Sequence, residues 1–121
     1  MKNIYLVDIE NVQTKFLDII PSMMDIDILI LFVLEDNHNL YIPIDHVINI
    51  CRKNIDLRLV DCFRGQAKKN ALDFQLVSHL GNLIANNQPD TNYIIYTNDL
   101  GFDPVIKFWQ DKGVKIDKYY E

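Results

Sequence analysis

The chain has 121 residues, 49% of them hydrophobic and 24% charged, a composition that suits one compact domain with its own core and excludes a disordered chain. Its formal net charge of −5 argues against a nucleic-acid binder that relies on a broad basic surface, and no apolar run is long enough to cross a bilayer. Cys51 and Cys62 are too few for a disulfide scaffold or a cysteine-built zinc site, and the short opening apolar segment, interrupted by Asp8, does not read as a signal peptide, so a cytoplasmic location is the simplest expectation.

In chain order, residues 2–7 read as a first strand, apolar at Ile4, Tyr5, Leu6 and Val7 and ending at Asp8. A continuous apolar run fits a strand covered on both faces. Asn11 can cap a helix that carries Val12, Phe16, Leu17 and Ile20 and stops before Pro21. A second strand is predicted over 26–34, followed by a polar loop and a short helix carrying Val47, Ile48 and Cys51. Residues 57–63 make a third strand and 70–86 the longest helix. The fourth strand covers 93–97 and the fourth helix 104–111, with Gly113 as its C-terminal cap; residues 114–119 close the chain as a final strand. Strands alternate with helices throughout, which predicts a single three-layer, Rossmann-like α/β domain over 1–121. Its sheet would be mostly parallel, with four or five strands and helices on both faces.

In such a sheet, ligands sit at the carboxyl ends of the strands. Asp8 ends the first strand and Asp99 the fourth, and in the common order 3-2-1-4-5 these strands are neighbours. Asp73 lies in the first turn of the long helix, in line with Leu76, Val77, Leu80 and Ile84, where burying a carboxylate is costly unless it is paired or metal-bound. Asp103 precedes Pro104 as an ordinary helix cap would, and can also reach a metal through water. Each acid alone has an ordinary reading as a turn or cap residue; their convergence on one edge is the argument. Four carboxylates without a Cys or His pattern suit a hard divalent cation, Mg²⁺ or Mn²⁺, able to assist phosphodiester displacement. Without metal, mutual repulsion should raise their pKa values.

Residues 52–69 hold six basic side chains against two acids. This is either a solvated surface or a phosphate-contacting face, with Arg64, Lys68 and Lys69 as its contacts. His79 reads as a core or surface residue, and Phe108 and Trp109 as core that could also stack a base. Serine-hydrolase, dinucleotide and P-loop motifs are absent.

The motifs VDIEN (Asp8, Asn11), KKNALDFQL (Asp73) and TNDLGFD (Thr97, Asp99, Phe102, Asp103) follow one another in an order and spacing that resemble the PIN-like nuclease superfamily, and within it the NYN type most. The resemblance covers nearly the whole chain. It implies a Mg²⁺- or Mn²⁺-dependent endoribonuclease acting on RNA, single-stranded by expectation, with Asp8, Asp73, Asp99 and Asp103 as catalytic, metal-holding residues. Asn11 would orient the first Asp or touch substrate, and Thr97 would support the turn. The competing expectations are a non-catalytic RNA- or nucleotide-binding module and a Rossmann-like phosphatase or regulatory domain. A homodimer through exposed edge strands and an inhibitor or partner protein complete the expectations.

Overall fold

The computed structural model describes residues 1–86 and 89–119. Five strands, β1 (Lys2–Asp8), β2 (Ile28–Leu34), β3 (Asp56–Cys62), β4 (Thr91–Tyr96) and β5 (Lys115–Tyr119), form one sheet in the order β3-β2-β1-β4-β5. Every neighbouring pair is parallel, as the alternation of strands and helices predicts. The helices are α1 (Ile9–Val12), α2 (Ile44–Arg52), α3 (Ala71–Asn86) and α4 (Asp103–Gln110), with 3₁₀ helices at Gln13–Ser22 and Leu100–Phe102. Among the described residues, no helix is long and apolar enough to cross a membrane.

The central strands are apolar on both faces because both are covered. Ile4, Leu6, Ile30 and Phe32 pack against Leu72, Leu76 and Leu80 of α3 and Ile106 of α4. Val7, Leu29, Leu31 and Tyr96 pack on the other face against Phe16, Leu17 and Ile20. Each such side chain contributes about 1.5–3 kcal/mol by leaving water, which makes the three-layer arrangement the stable one. Asp8 has the same strand parity as Ile4 and Leu6, so it belongs to the α3 face of the sheet.

Several local expectations are corrected. The first helix is only four residues long and is capped by Asp8, not by Asn11; Gln13 then takes a positive φ of 53° and the chain continues as a 3₁₀ helix that includes Pro21. A left-handed residue cannot continue an α-helix. The second strand starts at Ile28, after the buried Asp27, whose two oxygens accept the backbone N–H groups of Asn3 and Met24 (both 2.9 Å) and close the turn. On α2, Val47, Ile48 and Cys51 are exposed and Ile50 is the buried residue. Leu40 and Ile42, in the segment before α2, pack against this core instead. Leu57 and Leu59 of the edge strand β3 stay exposed. Phe108 is exposed beneath the Lys112 ammonium, while Trp109 packs against the core.

Candidate active site

Asp8 is held at the carboxyl end of β1 by two loops. One carboxylate oxygen accepts the Asn11 backbone N–H (3.3 Å) and the other accepts the Thr97 hydroxyl (3.2 Å). The side chain is 2% exposed. Burial first, and then the negative charge of Asp73, push its pKa up to about 7, against the pull of the two hydrogen bonds. Glu10 adds a smaller push in the same direction.

Thr97 is a hub between strands. It is fully buried, donates to Asp8, and accepts the Asp99 backbone N–H (3.1 Å) at the same oxygen. Asp99 in turn caps the 3₁₀ turn at Leu100–Phe102 by accepting the Gly101 N–H (2.9 Å). A Cβ on residue 101 would stand 3.2 Å from that carboxylate oxygen, so glycine leaves the cap unstrained. Asn11 ties the same loops together, its side-chain oxygen accepting the Asn98 N–H (3.2 Å). The VDIEN and TNDLG segments, nearly ninety residues apart in sequence, are thus hydrogen-bonded into one edge.

Asp73 enters from the first turn of α3, just after Asn70, which takes a positive φ of 65°. The core stripe of this helix is Leu72, Leu76, Leu80 and Leu83, so Asp73 lies on its margin, half-buried, with Val77 and Ile84. Burial, then the charges of Asp99 and Glu10, raise its pKa.

Asp8, Asp73 and Asp99 line one open cleft of about 210 Å³ together with Glu10 and Asn11. Arg64, Lys68, Lys69 and Asn70 line it as well. Arg64 is already engaged there, its guanidinium bonding Asp36 (2.7 Å) and Glu10 (3.4 Å). The fourth expected acid stands elsewhere. Asp103 is the first residue of α4, not its cap, and accepts the Lys118 ammonium (2.6 Å); it lines neither this cleft nor the one beside it. The reason is the 3₁₀ turn before α4, which passes the capping role to Asp99.

Glu10, two residues after Asp8, can by sequence either face the same mouth or be solvated, and it lines the cleft; Asn70 lines it too, but its sequence signal was only its place before a helix. The candidate metal-holding side chains of the cleft offer oxygen, and after burial it is the neighbouring carboxylate charges that raise the pKa of Asp8 and of Asp73, a repulsion that a hard dication would relieve. Among the described residues, however, no three Asp, Glu, His or Cys side chains are grouped tightly enough to hold an ion as they stand.

A second pocket, of about 250 Å³, adjoins the cleft and shares Asn70, Asp73 and Asp99 with it; Phe74, Val77, Gly101, Phe102 and Val105 complete its lining.

Comparison with curated proteins and with solved structures gives no match. A family model described as PIN7, PIN domain, matches residues 2–119. That span includes every strand and every residue of the acidic cleft, and the chain belongs to the PIN domain family.

Proposed function

We propose that this protein is a Mg²⁺- or Mn²⁺-dependent endoribonuclease. PIN domains are generally nucleases, and the observation that carries the reading here is that Asp8, Asp73 and Asp99, from three separate segments, line one cleft beside Lys68 and Lys69. In this reading Asp8, Asp73 and Asp99 hold the metal, and Glu10 takes the fourth position in place of Asp103. When bound, the cation supplies a Lewis acid for the phosphoryl group and lowers the pKa of water. Thr97 and Asn11 keep Asp8 in place, and Lys68 and Lys69 attract the phosphates of the strand. Arg64 contributes by holding Glu10. The VDIEN motif, with Asp8 and Asn11, is the feature that supports an NYN-type relationship within the family.

A second reading, a non-catalytic RNA- or nucleotide-binding module, is favoured by the lack of a preassembled three-acid group among the described residues. The two readings separate in one experiment. A panel of single-stranded and structured RNAs is incubated with Mn²⁺, Mg²⁺ or EDTA, beside an Asp99→Asn variant. Asn caps a helical turn as well as Asp does, so the variant keeps the Gly101 contact and removes only charge. Cleavage that needs metal and falls at least 100-fold in Asp99→Asn is expected. RNA binding without metal-dependent cleavage would leave the binding module. We further propose a homodimer through the β3 edge, where Leu57 and Leu59 are exposed, and leave a place for an inhibitor or partner protein on the same domain.

A further inference from the structure

Phe74 follows the cleft residue Asp73 on α3, yet its side chain points away from the core and is 68% exposed. Isolated exposed aromatics are common and carry no message by themselves. Phe74 differs because it walls a pocket, with Val77, Phe102 and Val105 as apolar lining, and because that pocket opens directly onto the acidic cleft. Asn70, Asp73 and Asp99 belong to both. The two compartments differ in chemistry: carboxylates and lysines on one side, a flat aromatic face and aliphatic side chains on the other.

A strand of nucleic acid alternates in the same way, with a charged phosphate followed by a flat, largely apolar base. We propose that the Phe74 pocket is a nucleobase subsite, taking the base next to the phosphate that lies in the acidic cleft. Its volume of about 250 Å³ falls below the roughly 300–1,000 Å³ of pockets that take drug-sized ligands, which suits a single base. The base stacks on Phe74, an interaction open to every base because each has a π-face. Asn70, at the junction, carries an amide that can both donate to and accept from a base edge. A base can enter only when it is not paired, so this subsite selects single-stranded or looped RNA by a physical route separate from charge.

The proposal rests on the nuclease reading of the adjoining cleft, and its test keeps the two apart. Binding of a fluorescein-labelled single-stranded RNA is followed by anisotropy with Ca²⁺ in place of Mg²⁺ or Mn²⁺, for wild type and for Phe74→Ala, Phe74→Leu and Phe74→Trp. Thermal melts verify that these surface variants are folded. Phe74→Ala should weaken binding roughly 5- to 150-fold, the range for loss of one stacked base. Phe74→Trp should restore binding and Phe74→Leu should not. An RNA with an abasic position in the bound stretch should bind wild type as weakly as intact RNA binds Phe74→Ala, with no further loss when both changes are combined. Equal binding by Phe74→Ala and wild type, full rescue by Leu, additive losses in the combination, or no RNA binding by wild type would each overturn the subsite. Cleavage of the same RNA by wild type in Mn²⁺ reports separately on the nuclease reading. Cleavage that persists while Phe74→Ala binds normally removes the subsite alone.

Discussion

Two buried aspartates in this molecule have opposite meanings. Asp27 is fully buried, and both of its oxygens accept backbone N–H groups, so it closes a turn at the amino end of the sheet. Asp8 is equally hidden at the carboxyl end, but it faces Asp73 and its pKa is pushed up to about 7. The sign of the consequence follows from linkage. A carboxyl with a raised folded-state pKa binds protons more tightly when folded, so the fold loses stability as pH rises from about 4 through about 7. In metal-free protein, Asp8→Asn should therefore be more stable than wild type at pH 8, by about 1–3 kcal/mol given about 1.4 kcal/mol per pKa unit and some loss in the substituted hydrogen bonds. The advantage should shrink steadily toward pH 4, where folded Asp8 is protonated and the unfolded carboxyl is about half protonated. Urea melts at the two pH values check this, and an equal stability gain at both would contradict it. Added Mn²⁺ should raise the melting temperature of wild type at pH 8 and leave Asp8→Asn unchanged.

At the scale of elements, α3 does two jobs with different faces. Leu72, Leu76, Leu80 and Leu83 fasten it to the sheet, while Asp73 and Phe74 at its first turn face the cleft and its neighbour pocket. Leu80→Ala should cost about 2–5 kcal/mol of unfolding free energy, as expected for a fully buried leucine that leaves a cavity. Phe74→Ala should cost little, because that side chain is already in water. The helix was legible from its apolar spacing, but its angle about its own axis was not. A reading that aligned Asp73 with Leu76, Val77 and Leu80 sets the stripe slightly off, because Leu72 and Leu83 carry the contact to the sheet. On α2, Val47, Ile48 and Cys51 have helical spacing yet stay exposed, and the segment around Leu40 and Ile42 reaches the core. Periodicity reports that a helix has an apolar face; it does not report whether anything lies against that face.

Across the whole molecule, a net charge of −5 and an acidic cleft make the lysines at its rim the local source of attraction for RNA. Replacing Lys68 and Lys69 together with Gln should weaken RNA binding and lower the slope of log affinity against log salt by about 0.7 per lost phosphate contact on a single strand. A titration at four salt concentrations measures it; an unchanged slope would place the RNA elsewhere. The uncovered β3 edge is the second feature at this scale, since exposed Leu57 and Leu59 on a free strand invite pairing with another chain. Leu59→Lys should shift sedimentation from dimer to monomer if the proposed homodimer forms there, without lowering the melting temperature of the domain.

The amino-acid sequence by itself determined the parallel α/β sheet, because continuous apolar strands separated by helices can be covered on both faces in very few ways; the strand order, which matches the common one for such sheets, came with the structure. It also placed Asp8, Asp73 and Asp99 at the carboxyl edge, since each follows a strand or opens a helix at that end. Only the tertiary structure decided which acids share a cleft. Asp103 has the same local pattern as a site residue, yet a 3₁₀ turn before α4 leaves it paired with Lys118, while Glu10, whose sequence left it open between the cleft mouth and solvent, borders the cleft, and Phe74, unremarkable in sequence, borders the adjoining pocket. Strand and helix periodicities are local properties of the chain. The direction of a side chain at a loop is set by hydrogen bonds such as Thr97 to Asp8 and Asn98 to Asn11, which join residues nearly ninety positions apart and exist only once the sheet has closed.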